Sequence, residues 1–304
     1  MADTSYPYNP KTTVPKIKFE KFDNANFAYM LWESSLDITK ARILLVHGFG
    51  EYTKIYYRMM DQLSSQGYES FFFDQRGSGE TSPGKLKGKT NEHFTFSDLE
   101  HFVSKNLEEC KKKNIKLFMW GHSMGGGICL NYACTGKSKD QFQGFIASGP
   151  LIILHPNSRP NKVTQMISPL LAKTMPNFTI DTGLNLEGIT SDPTYREFLA
   201  NDPMSVPLLG SFRQIYDFLE RGKALYNNKD NRISKITKPI FIQHGKDDTI
   251  NDPKGSQNFY DNCKFNDKRL VLYENGRHSI LSLEIEEVFD KALSDLVEWL
   301  DAHL

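Results

Sequence analysis

The stretch Gly121-His122-Ser123-Met124-Gly125 constrains this chain more than any other. It follows an apolar run, residues 116–120, that predicts a buried strand. It precedes Gly126-Gly127-Ile128-Cys129-Leu130-Asn131-Tyr132-Ala133, which predicts a helix. A G-x-S-x-G turn between strand and helix is a sharp elbow. Its glycines let the chain reverse where side chains would clash. The serine is left at the apex, beside the positive end of a helix. A glycine turn with an incidental serine would not account for both flanks.

The rest of the chain supplies a frame for such an elbow. Residues 16–22 and 27–32 alternate between apolar and polar and predict an antiparallel pair, with Asp23-Asn24-Ala25-Asn26 as the turn. Ala41–Val46 is nearly all apolar, as in a strand buried on both faces. Strand-like and helix-like segments then alternate. Residues 69–73 lead to a helix over 97–112, residues 116–120 to a helix over 124–134, and 144–147 form another strand. Later, 239–243 lead to a helix over 253–263, and 269–273 to a last helix over 285–300. Antiparallel strands followed by this alternation predict an α/β fold with a mostly parallel sheet. Residues 150–228, rich in Pro and Leu and without a clear buried strand, break the rhythm. They are expected to be an insertion over the carboxyl end of the sheet, between core segments 1–149 and 229–304.

Composition narrows the partners. The chain has 304 residues, enough for a sizeable core. Lys plus Arg and Asp plus Glu are 37 each, so the net charge is zero and no nucleic-acid footprint is expected. The one basic cluster, Lys111-Lys112-Lys113, suits the negative end of a helix dipole. Cys110, Cys129, Cys134 and Cys263 show no C-x-x-C spacing, which implies neither a disulfide framework nor a metal site and suits a reducing compartment. The first residues carry no signal-peptide pattern, and no run approaches the ~20 apolar residues of a spanning helix. A cytoplasmic chain with at most peripheral membrane contact is expected, and no obligate protein partner is evident.

A serine hydroxyl is a poor nucleophile at neutral pH and requires a base that is itself held by an orienting group. Behind a G-x-S-x-G elbow the partners follow in the order Ser, acid, His. Of the histidines after Ser123, His303 is next to the chain end, His155 opens the insertion, and His244 closes a strand before any suitable loop acid. His278 lies just beyond the 269–273 strand, on a loop at a strand's carboxyl end, where sites on open α/β sheets form. It is the expected base. For the acid, Gly245-Lys246-Asp247-Asp248 offers two adjacent aspartates, one of which can instead cap the following turn. An oxyanion hole calls for two backbone N–H groups. Met124, directly after the serine, is expected to give one. Phe49, in His47-Gly48-Phe49-Gly50-Glu51 after the Ala41–Val46 strand, is expected to give the other.

Taken together, these strings resemble the monoacylglycerol (monoglyceride) lipase family of the α/β-hydrolase fold. The resemblance rests on His47-Gly48-Phe49-Gly50-Glu51, Asp74-Gln75-Arg76-Gly77-Ser78-Gly79, Gly121-His122-Ser123-Met124-Gly125, Asp248 and His278. It covers nearly the whole chain and, with Gly210-Ser211-Phe212-Arg213-Gln214, is closest to the yeast branch of that family. It implies hydrolysis of 1- and 2-monoacylglycerols to glycerol and fatty acid, without a cofactor. It also implies a helical cap, matching residues 150–228, and association with lipid droplets and membrane surfaces. It favours Asp248 over Asp247, so the implied triad is Ser123, Asp248 and His278, with Phe49 and Met124 as the oxyanion hole. Glu51 corresponds to an acidic residue that helps line the glycerol end, whereas Ile55 and Leu281 stand where animal relatives are polar. In the 74–79 loop, Asp74 and Arg76 are expected to pin the turn by hydrogen bonds and charge pairing.

Within the insertion, Val163, Met166, Ile167, Leu170 and Leu171 recur at helical spacing, and Pro169 is expected to kink or break that helix. The stripe either packs on the body of the protein or lines an acyl tunnel and meets a lipid surface, and both can hold. Leu151, Ile152, Ile153 and Leu154, at the hinge of the insertion, are further candidates for the tunnel wall. A long acyl chain gains about 0.8 kcal/mol per CH₂ buried against such residues.

Overall fold

The computed structural model describes residues 6–304. The chain opens with β1 (Lys18–Phe22) and β2 (Ala25–Trp32), an antiparallel hairpin. Its turn has two residues rather than four. Asp23 and Asn24 take φ of 41° and 61°, the left-handed pair that a tight hairpin requires and that Asp and Asn tolerate. β3 (Ala41–Val46) follows, then α1 (Tyr57–Ser65) and β4 (Tyr68–Phe73). α1 is not among the helices the sequence predicts, although Met59, Met60 and Leu63 form its buried face at helical spacing. α2 (Glu92–Lys113) starts at Glu92 rather than Ser97, because the Asn91 side chain caps it by accepting the Phe94 N–H at 3.0 Å. β5 (Lys116–His122), α3 (Met124–Thr135) and β6 (Gly144–Ser148) complete the first half.

The insertion holds α4 (Lys162–Thr174), β7 (Thr179–Asp181), α5 (Leu186–Ile189), α6 (Pro193–Asn201), β8 (Leu209–Ser211) and α7 (Phe212–Tyr226). β7 and β8 pair as a short antiparallel ribbon that the sequence reading did not foresee; three residues per strand are too few for a periodic signal. α4 runs through Pro169 without ending there. Proline has no N–H for the Gln165 carbonyl, and the Ser168 hydroxyl donates to that oxygen at 2.9 Å instead. The chain returns to the core with β9 (Ile240–Gly245), α8 (Pro253–Asn262), β10 (Lys268–Tyr273) and α9 (Glu286–Asp301).

Eight strands form one sheet in the order β1-β2-β4-β3-β5-β6-β9-β10. β1, β2 and β4 pair antiparallel in succession, and every later pairing is parallel. This is the expected α/β-hydrolase arrangement with a mostly parallel sheet. Every residue of β3, β4, β6 and β9 is buried, because helices cover both faces. Alternate residues feed two cores. Ile43, Leu45, Phe72, Trp120 and Phe241 pack against α1 and α9. Leu44, Val46, Phe71, Phe73, Met119 and Ile242 pack against α2, α3 and α8. The four cysteines are free and buried. The 74–79 loop is pinned as expected. Asp74 Oδ1 accepts the Thr53 N–H and hydroxyl at 2.9 and 2.6 Å, Oδ2 accepts the Glu80 N–H at 2.8 Å, and Arg76 makes a two-pronged pair with Asp98.

Candidate active site

β5 ends at His122 and α3 begins at Met124, so Ser123 occupies the elbow between them. Its φ of 54° and ψ of −118° lie in a region that non-glycine residues avoid, at a cost of order 1–3 kcal/mol. The surrounding glycines make that geometry possible. A Cβ on Gly121 would stand 2.2 Å from the Gly125 carbonyl oxygen, and one on Gly125 would stand 2.0 Å from that of Val46. The elbow therefore presses directly on the end of β3. Ser123 N–H donates to the Ser148 carbonyl at 3.0 Å, and the Ser123 carbonyl accepts from Gly127 and Leu151 at 3.0 and 2.8 Å.

The loops after β9 and β10 bring an acid and a histidine together. His278 Nδ1–H donates to Asp248 Oδ2 at 2.7 Å. Asp248 is buried, whereas Asp247 is exposed, so of the two candidates it is Asp248 that meets the histidine. Asp248 Oδ1 accepts the N–H groups of Ile250 and Asn251 at 2.8 and 2.9 Å, which fixes the carboxylate on its own loop. Burial alone would raise the Asp248 pKa; the charge of His278 and hydrogen bonds from His278 and His244 outweigh it and hold the carboxyl well below its usual range. Burial alone would lower the His278 pKa; the Asp248 charge and hydrogen bond outweigh it and raise that group above its ordinary value.

Asn251 links this pair to the serine. Its Nδ2 donates to the Gly149 carbonyl at 2.8 Å and reaches Ser123 Oγ at 3.4 Å. Gly149, with φ of 50°, packs against this pair: a Cβ there would lie 3.2 Å from the His278 carbonyl oxygen and 3.5 Å from both His278 Nδ1 and Asp248 Oδ2. The ring of His122, next to the serine, has its centroid 4.7 Å from that of His278. Sequence reasoning missed Asn251, since an asparagine in a turn reads first as a turn residue.

The loop after β3 folds onto the elbow. A Cβ on Gly48 would come 3.1 Å from Ser123 Cβ. The Gly48 N–H donates to Glu51 Oε2 at 2.6 Å, which leaves the Phe49 N–H as the next donor along the loop. Met124 is the first residue of α3, where an N–H has no acceptor within the helix. His47 ties this loop to the 74–79 loop that follows β4. Its Nε2 accepts the Gln75 N–H at 2.8 Å, so Nδ1 carries the proton and donates to the Gly48 carbonyl at 2.7 Å. Glu51 also accepts from the Tyr56 hydroxyl, and its Oε1 lies 3.6 Å from His122 Nε2. Ile55 and Leu281 are both buried in the apolar core.

The insertion touches this site at several places, the Leu151 N–H on the Ser123 carbonyl among them. Gly50 and Gly210 make room for Leu208 and the Phe49 ring, so the loop after β3 lies directly under β8. On the other side, the N–H groups of His278 and Ser279 donate to the carbonyls of Gly188 and Ile189 at 3.3 and 2.9 Å. Glu284 reinforces that join by accepting the Ser191 N–H at 2.9 Å and the Arg277 N–H at 3.1 Å. Leu151 and Ile152 are buried in the same apolar cluster as Met124 and Phe218. The α4 stripe does not pack on the body: Val163, Met166, Ile167 and Leu170 are 67, 79, 44 and 61 % exposed, and only Leu171 is half-buried. Met175 and Phe178, just beyond α4, extend the exposed apolar surface.

Comparison with known proteins follows the same lines. Residues 37–286 match the family described as serine aminopeptidase, S33. The chain is 60 % identical over 303 residues to the monoglyceride lipase of Saccharomyces cerevisiae, covering 98 % of this chain and 97 % of that one. It is 31 % identical over 275 residues to a putative monoglyceride lipase of Schizosaccharomyces pombe, covering 90 % and 70 % respectively. A crystal structure of a soluble variant of the Saccharomyces cerevisiae monoglyceride lipase, in complex with a substrate analogue, superposes with a TM-score of 0.95 at 60 % identity, over 98 % of this chain and 99 % of that chain.

Proposed function

The chain belongs to the family described as serine aminopeptidase S33 and to the monoglyceride lipases, and from that premise we infer a serine hydrolase that cleaves monoacylglycerols to glycerol and free fatty acid. A family description that names a peptidase is compatible with this, because ester and amide cleavage share the same acyl-serine steps. The observation that carries the reading is the hydrogen-bonded Asp248–His278 pair, linked through Asn251 to a serine held at a strained elbow.

In this reading Ser123 Oγ attacks the ester carbonyl as His278 Nε2 takes its proton. The carbonyl π bond becomes an oxyanion, received by the N–H groups of Phe49 and Met124. The oxyanion collapses, the carbon–oxygen bond to glycerol breaks, and His278 returns its proton to the departing oxygen. Water then attacks the acyl-serine, gives its proton to His278, and the fatty acid leaves as Ser123 is reprotonated. Asp248 keeps the His278 proton on Nδ1 and stabilises the imidazolium.

In this reading Glu51 holds the oxyanion loop through Gly48, and its other oxygen, 3.6 Å from His122 Nε2, lines the glycerol end. Leu151 and Ile152 form the inner acyl wall, and Met166, Ile167, Leu170 and Leu171 its outer rim. That rim meets a lipid surface, because exposed apolar side chains on one helix face gain by burial in one. Residues 150–228 act as a cap on a core of residues 1–149 and 229–304. Among the described residues no helix is long and apolar enough to cross a membrane, and peripheral association with lipid droplets from the cytoplasm fits that surface.

Ser123→Ala tests the chemistry. We expect folding to be unchanged and turnover of both monoacylglycerol and a short p-nitrophenyl ester to fall by at least about 10⁴-fold. Retained turnover would remove Ser123 from the mechanism.

A further inference from the structure

His244, the histidine passed over as a base, lies on β9 and is wholly buried. Its Nε2 is 3.0 Å from Asp248 Oδ2 and 3.3 Å from the Asn251 carbonyl oxygen. Both neighbours only accept, so Nε2 carries a proton and donates. Its Nδ1 lies 2.7 Å from Ser256 Oγ on α8, whose hydroxyl can turn its hydrogen toward the ring. A continuous chain results, from Ser256 through His244 to Asp248, where His278 arrives from the other side at 2.7 Å. One carboxylate oxygen is thus shared by two imidazoles.

We propose that His244 is a positioning residue of the site: by donating to the same Asp248 oxygen that His278 uses, it sets how tightly the carboxylate holds the His278 proton. The proposal rests on the roles given to Asp248 and His278 above. The place of the carboxylate does not depend on His244, because Oδ1 is held by the N–H groups of Ile250 and Asn251. What His244 changes is the charge on Oδ2. A second N–H on that oxygen draws electron density away, so His278 is held less strongly in its protonated form. The base then stays free to accept the serine proton at a lower pH. Two other titratable groups face His278: Glu51 on the oxyanion loop and His122 on the elbow. Neither is altered in the comparison below.

The test compares His244→Leu, which removes the donor, with His244→Gln, whose amide keeps one. The readout is the acid limb of kcat/KM on a soluble short-chain ester, together with a melting curve. For His244→Leu we expect the limb to move up by about half to one pH unit. For His244→Gln we expect it to return to within about a quarter unit of the parent. A limb in His244→Leu that coincides with the parent's overturns the proposal and leaves His244 a packing residue. Should His244→Leu not fold, nitrogen-15 NMR of the parent protein decides. A proton on His244 Nε2 throughout the active pH range supports the proposal, and a proton on Nδ1 alone overturns it. Full turnover by Asp248→Asn would instead overturn the assignment of the acid, a result distinct from any His244 outcome.

Discussion

The double substitution Met166→Ser/Leu170→Ser separates docking from chemistry. The two side chains stand one turn apart on α4 and share a face. They are 79 and 61 % exposed, so they contribute little to folding and most of their apolar area is available to a lipid phase. Full burial of a Leu or Met side chain is worth roughly 1.5–3 kcal/mol. Scaled by these exposures, the pair contributes about 3 kcal/mol to partitioning, or about a 100-fold change in the partition constant. The assay is co-sedimentation with phosphatidylcholine vesicles, paired with turnover of a soluble p-nitrophenyl ester and of monoacylglycerol presented in the same vesicles. Partitioning should fall by about two orders of magnitude and vesicle-borne turnover should follow it. Soluble-ester turnover and the melting temperature should stay close to the parent's, because each change is at an exposed position worth about 0.5 kcal/mol or less to folding. Unchanged partitioning would refute the argument. So would an equal fall in soluble-ester turnover, because it would place the stripe in the catalytic machinery.

Two further perturbations probe the elbow. Gly125→Ala should destabilise the protein by about 3 kcal/mol or more and abolish turnover, because its Cβ would lie 2.0 Å from the Val46 oxygen and 2.5 Å from that of His47. Urea unfolding with normal stability would contradict that packing. His122 is held neutral by burial, which brings its pKa down to about 4. Between about pH 6.5 and pH 4 the unfolded chain binds a proton that the folded one refuses, so stability falls as pH falls, by about 3 kcal/mol in all. His278 acts in the opposite sense: its raised pKa gives stability that is present below about pH 6.5 and lost as pH rises through its folded value. The difference in unfolding free energy between the parent and His122→Gln should therefore isolate the acid-side loss. An identical pH slope for the two would exclude it.

Much of this was legible in the chain because it follows from local rules. Apolar runs of strand length, the glycines around Ser123 and the order Ser, acid, His each constrain a short segment, and together they imposed an α/β frame with an elbow. Where a signal is short or shared between residue types, local rules fell silent. The two-residue hairpin turn, the β7–β8 ribbon and the Asn91 cap of α2 each depend on one or two side chains.

Tertiary structure decided the rest, because it alone settles what faces what. Both Asp247 and Asp248 suit a loop after β9, and only burial against His278 separates them. The α4 stripe has the periodicity of a core helix, yet its apolar face points to solvent. Pro169 predicts a kink or break in that helix; the helix continues past it, and the Ser168 hydroxyl takes over the freed carbonyl. His244 reaches Asp248 from its own strand and loop, but Asn251 meets Ser123, and His278 meets Asp248, only once β9 is laid beside β6 and β10. The amino-acid order by itself thus determined the strands of the main sheet, the elbow and the kind of chemistry. The folded chain determined which polar atoms share a hydrogen bond and which apolar faces remain uncovered, because both depend on distances between segments far apart in sequence.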